Sequence, residues 1–374
     1  MASPRFLRLA LLVLFAATAC SSEPAQRNEP PEPDAASTPG ESDTPNSPSE
    51  PNAPNSPDAP DASTDPPPDD EPTLQQRIDA ATVTAANHPA CSLTELPEGF
   101  YWEIGDRGGM RASGEIAGSN TPTATTVVPV ASASKWVYAT YVLEKRGRVL
   151  EDDVPYLRQT SGWTMSAADA LCLGKTVGEC AANATLNEAL IDRFNYGPGH
   201  FLRHAAEVMN LASMRALALT NEIRAQLGES DFSYTQTNLA GALQASASGY
   251  ASFLRAMLRG EFVMSGELGA HKVCASAVCS GEAGLSPAPP DEAWSYSLGH
   301  WVEDDPQRGE HAFSSAGALG FYPWIDGSKT WYGVLARRAA LPSAEQGIRS
   351  IRCGRVIRQA WLTGVEVMTA TPSP

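Results

Sequence analysis

The chain has 374 residues, of which 42% are hydrophobic, and a formal net charge of −16. Residues 73–374 are enough for one large domain or two lobes with a sizeable core. Most of the negative charge lies in residues 21–72, and the rest is only mildly acidic, so we expect no nucleic-acid partner. The sequence lacks Gly-x-Ser-x-Gly and Gly-x-Gly-x-x-Gly, which disfavours an α/β-hydrolase elbow and a dinucleotide cofactor site.

The first 20 residues are typical of an export signal. Two arginines precede an apolar stretch from Leu9 to Ala17, which is too short to span a bilayer. The small residues that follow, ending at Cys20, resemble a bacterial lipobox, whose cysteine is lipidated and becomes the new first residue. An ordinary secretory signal is the alternative. The two residues after Cys20 lack the aspartate that retains similar lipoproteins at the inner membrane, so we expect an anchor in the outer membrane or at the cell surface.

A linker is expected from residue 21 to residue 72. It holds 15 of the chain's 30 prolines and 13 acidic residues, with one arginine and almost nothing apolar. Such a composition cannot bury enough surface to offset the entropy of ordering the chain. We therefore expect a disordered tether, followed by a folded domain at residues 73–374.

Six further cysteines follow Cys20, an even number in an exported chain, which favours disulfides. Four of them lie as two closely spaced pairs in the middle of the domain. The first and last cysteines are then left to form a third disulfide that links the two ends of the domain. The predicted pairs are Cys172–Cys180, Cys274–Cys279 and Cys91–Cys353.

A metal site is the alternative for these cysteines, but no Cys-x-x-Cys pair occurs. His200 and His204 have helical i, i+4 spacing, yet the glutamate of a zinc-hydrolase helix is missing between them. We therefore expect neither a metal nor a cofactor.

The predicted elements follow in chain order. A helix is expected at residues 74–86 and a β-hairpin at 100–116, and a helix then begins at Ser132 and ends at Gly147. Further helices are expected at 181–193, 201–211, 221–227 and 249–258. Strands are expected at 294–302, 319–325 and 331–335, and a final helix starts at Ser343 with Gln346 in a capping box.

This order predicts an α/β (α+β) fold. One antiparallel sheet is built from both ends of the domain and is flanked by the terminal helices. A mostly helical lobe, at about residues 148–290, is inserted between the two groups of strands.

The stretch Ser132-Ala133-Ser134-Lys135 lies at the head of a helix. Three residues are close to one helical turn, so the Lys135 amine can reach the Ser132 hydroxyl. Such a pair can activate a serine without histidine, although the bare tetrapeptide also arises by chance in a serine-rich chain.

Three segments in the same order resemble consecutive landmarks of the serine β-lactamase-like superfamily, in its branch of class C β-lactamases, DD-peptidases and esterases. They are Val130–Trp136, Gly147–Leu157 and Thr160–Gly162. The resemblance spans about residues 98–338. It implies a serine hydrolase that forms an acyl-enzyme with an ester or amide, from a small molecule or a peptidoglycan-like substrate.

The family's second motif, Tyr-x-Asn, is matched at Tyr196, but Pro198 replaces the asparagine. Its third motif, Lys-Thr-Gly, is matched by a strand that places His311 or Ala312 at the lysine position. Lys329 follows one element too late and is interpreted as a hairpin lysine. Because no lysine is available to meet a β-lactam carboxylate, an esterase or peptidase-like amidase is favoured over a true β-lactamase.

The resemblance and general chemistry assign the roles. Ser132 is the expected nucleophile, Lys135 the base and Tyr196 the group that passes the proton to the leaving group. The N–H of Ser132 and a second N–H, from Ser314 or Ser315, are expected to form an oxyanion hole. His311 is a candidate additional acid or substrate-binding group. A membrane-tethered binding or sensing module that kept the fold without turnover is the alternative function.

Overall fold

The computed structural model describes residues 71–228, 231–278 and 283–369. The predicted signal segment with Cys20 and the predicted linker up to residue 70 lie outside the described residues, as does Cys279. Within the described ranges, no helix has both the length and the hydropathy needed to cross a membrane.

The helices of the described residues follow the predicted pattern at both ends of the domain. They are α1 (Leu74–Asn87), α2 (Ser134–Arg146), α3 (Val154–Leu157), α4 (Val177–Ala181), α5 (Gly199–Arg203), α6 (Ala216–Leu227), α7 (Ala247–Leu258), α8 (Val263–Glu267) and α9 (Ala344–Thr363). Gly147 ends α2 with φ of 70°, which glycine adopts readily. Ser343 caps α9 by accepting the N–H of Gln346, but the Gln346 side chain bonds Arg337 and completes no capping box.

The strands of the described residues form one large sheet and two small ones. They are β1 (Gly99–Asp106), β2 (Gly109–Ala117), β3 (Val128–Pro129), β4 (Ser161–Thr164), β5 (Thr185–Ile191), β6 (Ser233–Tyr234), β7 (Leu243–Ala245), β8 (Val273–Cys274), β9 (Ser295–Tyr296), β10 (Trp301–Val302), β11 (Phe313–Ser314), β12 (Tyr322–Ile325) and β13 (Tyr332–Ala336). The large sheet has the order β2-β1-β13-β12-β11-β10-β9-β8.

The large sheet is antiparallel and joins strands from both ends of the domain, so the predicted fold class is confirmed. Trp102 of β1 pairs with Leu335 of β13, more than 200 residues later along the chain. The strand β1 is buried along almost its whole length because apolar cores lie on both faces of the sheet. The second group of strands begins at β8, ahead of the predicted start at residue 294.

The terminal helices α1 and α9 pack against each other beside the sheet, and the disulfide Cys91–Cys353 links the turn after α1 to α9. A second disulfide, Cys172–Cys180, closes a short loop between β4 and β5. Both bonds match the predicted pairs. The pair Cys274–Cys279 stays a prediction because Cys279 lies outside the described residues.

The helix predicted at residues 181–193 is wrong. Residues 185–191 form β5, which pairs with β4 as a two-stranded sheet. No apolar face of this segment is buried, so a helix here would gain little from packing, and the non-local pairing overrides local helix propensity.

The strand predicted at residues 294–302 is two short strands, β9 and β10, which turn back on each other at Gly299. Gly299 has φ of 75°, and a Cβ there would lie 2.6 Å from the carbonyl oxygen of Lys135. The turn therefore packs directly against the first turn of α2 and fixes the position of the helix that follows Ser132 and carries Lys135.

Candidate active site

Ser132 lies in a tight turn that leads into α2. The turn, Ala131–Ala133, is a single 3₁₀ turn, and Ala131 has φ of 48°, an uncommon conformation for a residue with a Cβ. Two contacts to Leu243 hold the turn in place: its carbonyl accepts the N–H of Val130 at 3.0 Å, and its N–H donates to the Ser134 hydroxyl at 3.1 Å. The neighbouring strand β7 thus fixes the position of the Ser132 hydroxyl.

The Lys135 amine lies beside the Ser132 hydroxyl, as predicted. Its Nζ is 3.1 Å from Ser132 Oγ and 2.9 Å from the carbonyl oxygen of Ala240. The side chain is 3% exposed, and burial lowers the pKa of Lys135 to about 7. Among the described residues no carboxylate forms an ion pair with this amine. A large share of the amine is therefore neutral near pH 7 and able to accept a proton.

Tyr196 completes the cluster, also as predicted. The Lys135 Nζ lies over its ring at 4.5 Å from the ring centre, and the ring stacks on Trp301 at 5.3 Å. Burial raises the pKa of Tyr196, and a hydrogen bond with the Ser132 side chain offsets only part of that rise. The phenol is therefore protonated and can act as a hydrogen-bond donor beside Ser132.

Gln159, which sequence reasoning missed, holds one side of the loop around Tyr196. Gln159 is fully buried with φ of 62°. Its main-chain oxygen accepts the N–H of Asn195 at 3.1 Å, and its side-chain oxygen accepts the N–H of Gly197 at 2.6 Å. Both neighbours of Tyr196 are thus fixed from one side. From the other side, the N–H of Tyr196 donates to the carbonyl of Leu285 at 2.8 Å.

His200 supports the same loop. Its Nδ1 lies 2.7 Å from the Ser161 hydroxyl and its Nε2 lies 2.8 Å from the carbonyl oxygen of Asn195. Burial, with the nearby charge of Lys135 as a smaller contribution, lowers the pKa of His200 to about 4, so the ring is neutral at pH 7. It then donates to the carbonyl through Nε2 and accepts from the serine.

His204, the other histidine of the predicted i, i+4 pair, bonds Asp153 at 2.9 Å and Tyr138 at 2.8 Å. Within the described ranges, no group of three or more His, Cys, Asp or Glu side chains is arranged to hold a metal ion.

The predicted oxyanion donors require a correction. Ser314 is fully buried within β11. The N–H of Ser315 donates to the carbonyl of Pro323 at 3.2 Å, so this N–H is not available to bind an oxyanion. The Ser315 hydroxyl instead donates to the carbonyl oxygen of Ser132 at 3.3 Å and ties the end of β11 to the serine turn. The next N–H, that of Ala316, has no hydrogen-bond partner among the described residues, and Ala316 lines the same cavity as Ser132.

The structure does not bring His311 to this cluster. Its side chain is 70% exposed, lies before β11 and contacts Asp304 at 3.3 Å. The residues that approach Ser132 come later, at Ser315–Gly317, because the strand extends past His311 before it reaches the serine turn. Lys329 is exposed in the turn before β13, as predicted.

A cavity of about 110 Å³ opens beside Ser132 and Tyr196. The loop after β11 forms one wall. Only a glycine at position 317 lets this loop approach the chain before Ser132 so closely, because a Cβ there would lie 2.1 Å from the carbonyl oxygen of Val130. Trp294 and Trp301 form an aromatic wall. The cluster therefore combines a serine hydroxyl, a buried amine, a protonated phenol and an apolar space for a ligand.

No family model matches the sequence, and no curated protein matches it by sequence. Solved structures do match. A D-stereospecific amidohydrolase from Streptomyces aligns at 13% identity with a TM-score of 0.52, over 76% of this chain and 99% of its own. The D-amino acid amidase from Ochrobactrum anthropi aligns at 12% identity with a TM-score of 0.51, over 75% of this chain and 98% of its own.

An octameric penicillin-binding protein homologue from Pyrococcus abyssi aligns at 15% identity with a TM-score of 0.50, over 73% of this chain and 75% of its own. At these identities the likeness concerns the fold alone. The chain has the fold of the serine β-lactamase-like superfamily, as the sequence motifs predicted.

Proposed function

We propose that the protein is a serine hydrolase that cleaves an ester or amide through an acyl-enzyme on Ser132. The observation that carries this proposal is the 3.1 Å contact between Ser132 Oγ and Lys135 Nζ, in which the amine is buried and has no carboxylate partner in the described part of the chain. Fold neighbours described as amidases and amidohydrolases support the same reaction class.

Acylation begins with proton transfer from the Ser132 hydroxyl to the neutral amine of Lys135. The Ser132 oxygen forms a bond to the substrate carbonyl carbon, and the carbonyl π electrons move to its oxygen. When that oxygen re-forms its double bond, the bond to the leaving group breaks, and the leaving group takes a proton from the phenol of Tyr196. The protonated amine of Lys135 then returns a proton to Tyr196. A water molecule then repeats the sequence, releases the acid and restores Ser132.

The developing negative charge is stabilised by two main-chain N–H groups, those of Ser132 and Ala316. Neither has a hydrogen-bond partner among the described residues, and both residues line the cavity. The start of α2 contributes favourable partial charge at the same point. Removing one such donor typically slows acyl transfer by about a hundredfold or more.

The experiment that tests this proposal is covalent labelling of the full mature chain. We expect a fluorophosphonate to add one phosphonyl group, detected by intact mass and mapped by peptide sequencing to Ser132. Ser132→Ala is expected to abolish the adduct. Ser252→Ala, which alters an exposed serine on α7, is the matched control and is expected to label normally. An unlabelled Ser132 across fluorophosphonates and activated esters, in folded protein, would favour the alternative binding or sensing module.

We also propose that the protein is exported and anchored by a lipid on Cys20, at the outer membrane or the cell surface. The support is the signal-like segment that ends at Cys20 and the acidic, proline-rich stretch that follows it. Cys20→Ala is expected to abolish incorporation of labelled fatty acid in the native host and to release the protein from the membrane fraction. Ser132→Ala serves as the control and should remain in that fraction. Normal lipid labelling of Cys20→Ala would refute this anchor.

A further inference from the structure

The C-terminal helix α9 forms one wall of the cavity beside Ser132. One side of α9, at Ala344, Gly347, Ile348 and Ile351, faces it across from the serine turn. Its other walls are the two tryptophans, the loop after β11, Tyr196, and Pro287 with Ala288. Among the described residues that line it, none carries a charged side chain.

Gly347 lies at the fourth position of α9, where glycine is a poor helix former compared with alanine. The packing does not demand glycine. A Cβ at this position would lie 3.4 Å from the carbonyl oxygen of Gly317 and 3.9 Å from the Cβ of Ala316, which are ordinary contacts. Those two neighbours are themselves part of the cavity wall. A side chain at position 347 would therefore take up space at the cavity wall, next to Ala316 and the Gly317 carbonyl.

We propose that this cavity receives the acyl group of the substrate, that the group is short, apolar and uncharged, and that Gly347 limits its length. This inference rests on the proposed function of Ser132. The volume of about 110 Å³ is smaller than the ~150 Å³ of an apolar cavity that holds benzene. An acyl chain of about four carbons fits that space, whereas longer chains meet Ile348 and Ile351 on α9.

Charge is the second determinant. A carboxylate on the acyl chain would enter an apolar space whose described lining offers no cation, and an unpaired buried charge is strongly unfavourable. The cavity therefore discriminates against acyl groups that end in a carboxylate, even when their length is suitable.

The test uses p-nitrophenyl esters, in which the leaving group is constant and the acyl chain varies. We expect kcat/KM to be highest for acetate to butyrate and to fall for hexanoate and octanoate. The hydrogen succinate ester should react about 100-fold more slowly than butyrate. Gly347→Leu should lower the butyrate-to-acetate ratio of kcat/KM by about 100-fold, and Gly347→Ala, which the packing admits, by about 10-fold.

Gln359→Leu, at an exposed position of the same helix, is the control and should leave the ratio unchanged. If acetate is hydrolysed through Ser132 but neither Gly347 variant changes the ratio, the acyl-pocket inference is wrong and the proposed hydrolase function is unaffected. If the Gly347 variants instead alter selectivity among acetate esters of lengthening alcohols, the cavity holds the leaving group, which also overturns the inference. Failure of Ser132 to label or turn over any ester would contradict the proposed function itself.

Discussion

Lys135→Met is expected to lower the rate of Ser132 acylation by about a thousandfold, within the range of removing a general base. Methionine has a similar length and suits the buried site, where the amine forms hydrogen bonds, within the described part of the chain, only with Ser132 Oγ and the Ala240 carbonyl. Lys145→Met, on the last turn of the same helix, removes an exposed lysine paired with Glu222 and should leave the rate unchanged. Measurement is by stopped-flow acylation with an activated ester.

The pH dependence gives the same prediction a second test. Only the neutral amine accepts a proton, and burial lowers the pKa of Lys135 to about 7. The acylation rate should therefore rise as the pH increases through about 7 and level off above it. Lys135→Arg keeps a cation at this point but cannot lose its proton, so its acylation rate should fall as far as that of Lys135→Met. Substantial acylation by Lys135→Arg would show that the residue acts as a fixed charge, not as a base.

The sequence predicted those parts of the site and of the fold that follow from residue types and their spacing. Ser132 and Lys135 are three residues apart, and a helix necessarily places them on one face. The disulfide Cys91–Cys353 followed from the even number of cysteines and the shorter spacing of the others. In each case the signal lies in the residue types themselves.

Other parts of the site carry no such signal. Every residue but proline has a main-chain N–H, so nothing in the sequence singles out that of Ala316, which we propose as an oxyanion donor. Its position follows from the pairing of Ser315 with Pro323 and from the close approach of Gly317 to Val130. The strand pattern predicts a donor at Ser314 or Ser315, just before Ala316, because the end of a strand cannot be located to one residue from its sequence.

Long-range packing explains the remaining differences. Gly347 reaches the cavity only because α9 packs beside the sheet, more than 200 residues after Ser132. Gln159 holds the Tyr196 loop through a left-handed backbone conformation, which no residue pattern marks for a glutamine. The strand β5 arises from pairing with β4, and its own sequence favours a helix.

Glu303→Gln is expected to have the largest effect on stability. Glu303 is fully buried, and its Oε2 accepts hydrogen bonds from Arg355 at 2.8 Å and Arg358 at 2.9 Å. Burial alone would raise the pKa of Glu303, but the two guanidinium groups more than offset this and hold it at about 2. In the variant each arginine still pairs with a second carboxylate, Arg355 with Glu292 and Arg358 with Glu310. We therefore expect the free energy of unfolding to fall by about 3 kcal/mol, the lower end of the range for breaking a buried ion pair.

Urea unfolding of the full mature chain at pH 7 measures this loss, which should appear as a lower midpoint with an unchanged m-value. Glu115→Gln, at an exposed position of β2, is the control and should change the free energy of unfolding by no more than about 0.5 kcal/mol. Because the folded-state pKa of Glu303 lies below its ordinary value of 4.5, its stabilisation is complete above that pH and is lost as the pH falls toward about 2. The difference in the free energy of unfolding between the native protein and Glu303→Gln should therefore become smaller as the pH falls from 4.5 toward about 2. A difference below about 1 kcal/mol at pH 7 would show that the buried cluster stabilises the fold no more than an exposed ion pair does.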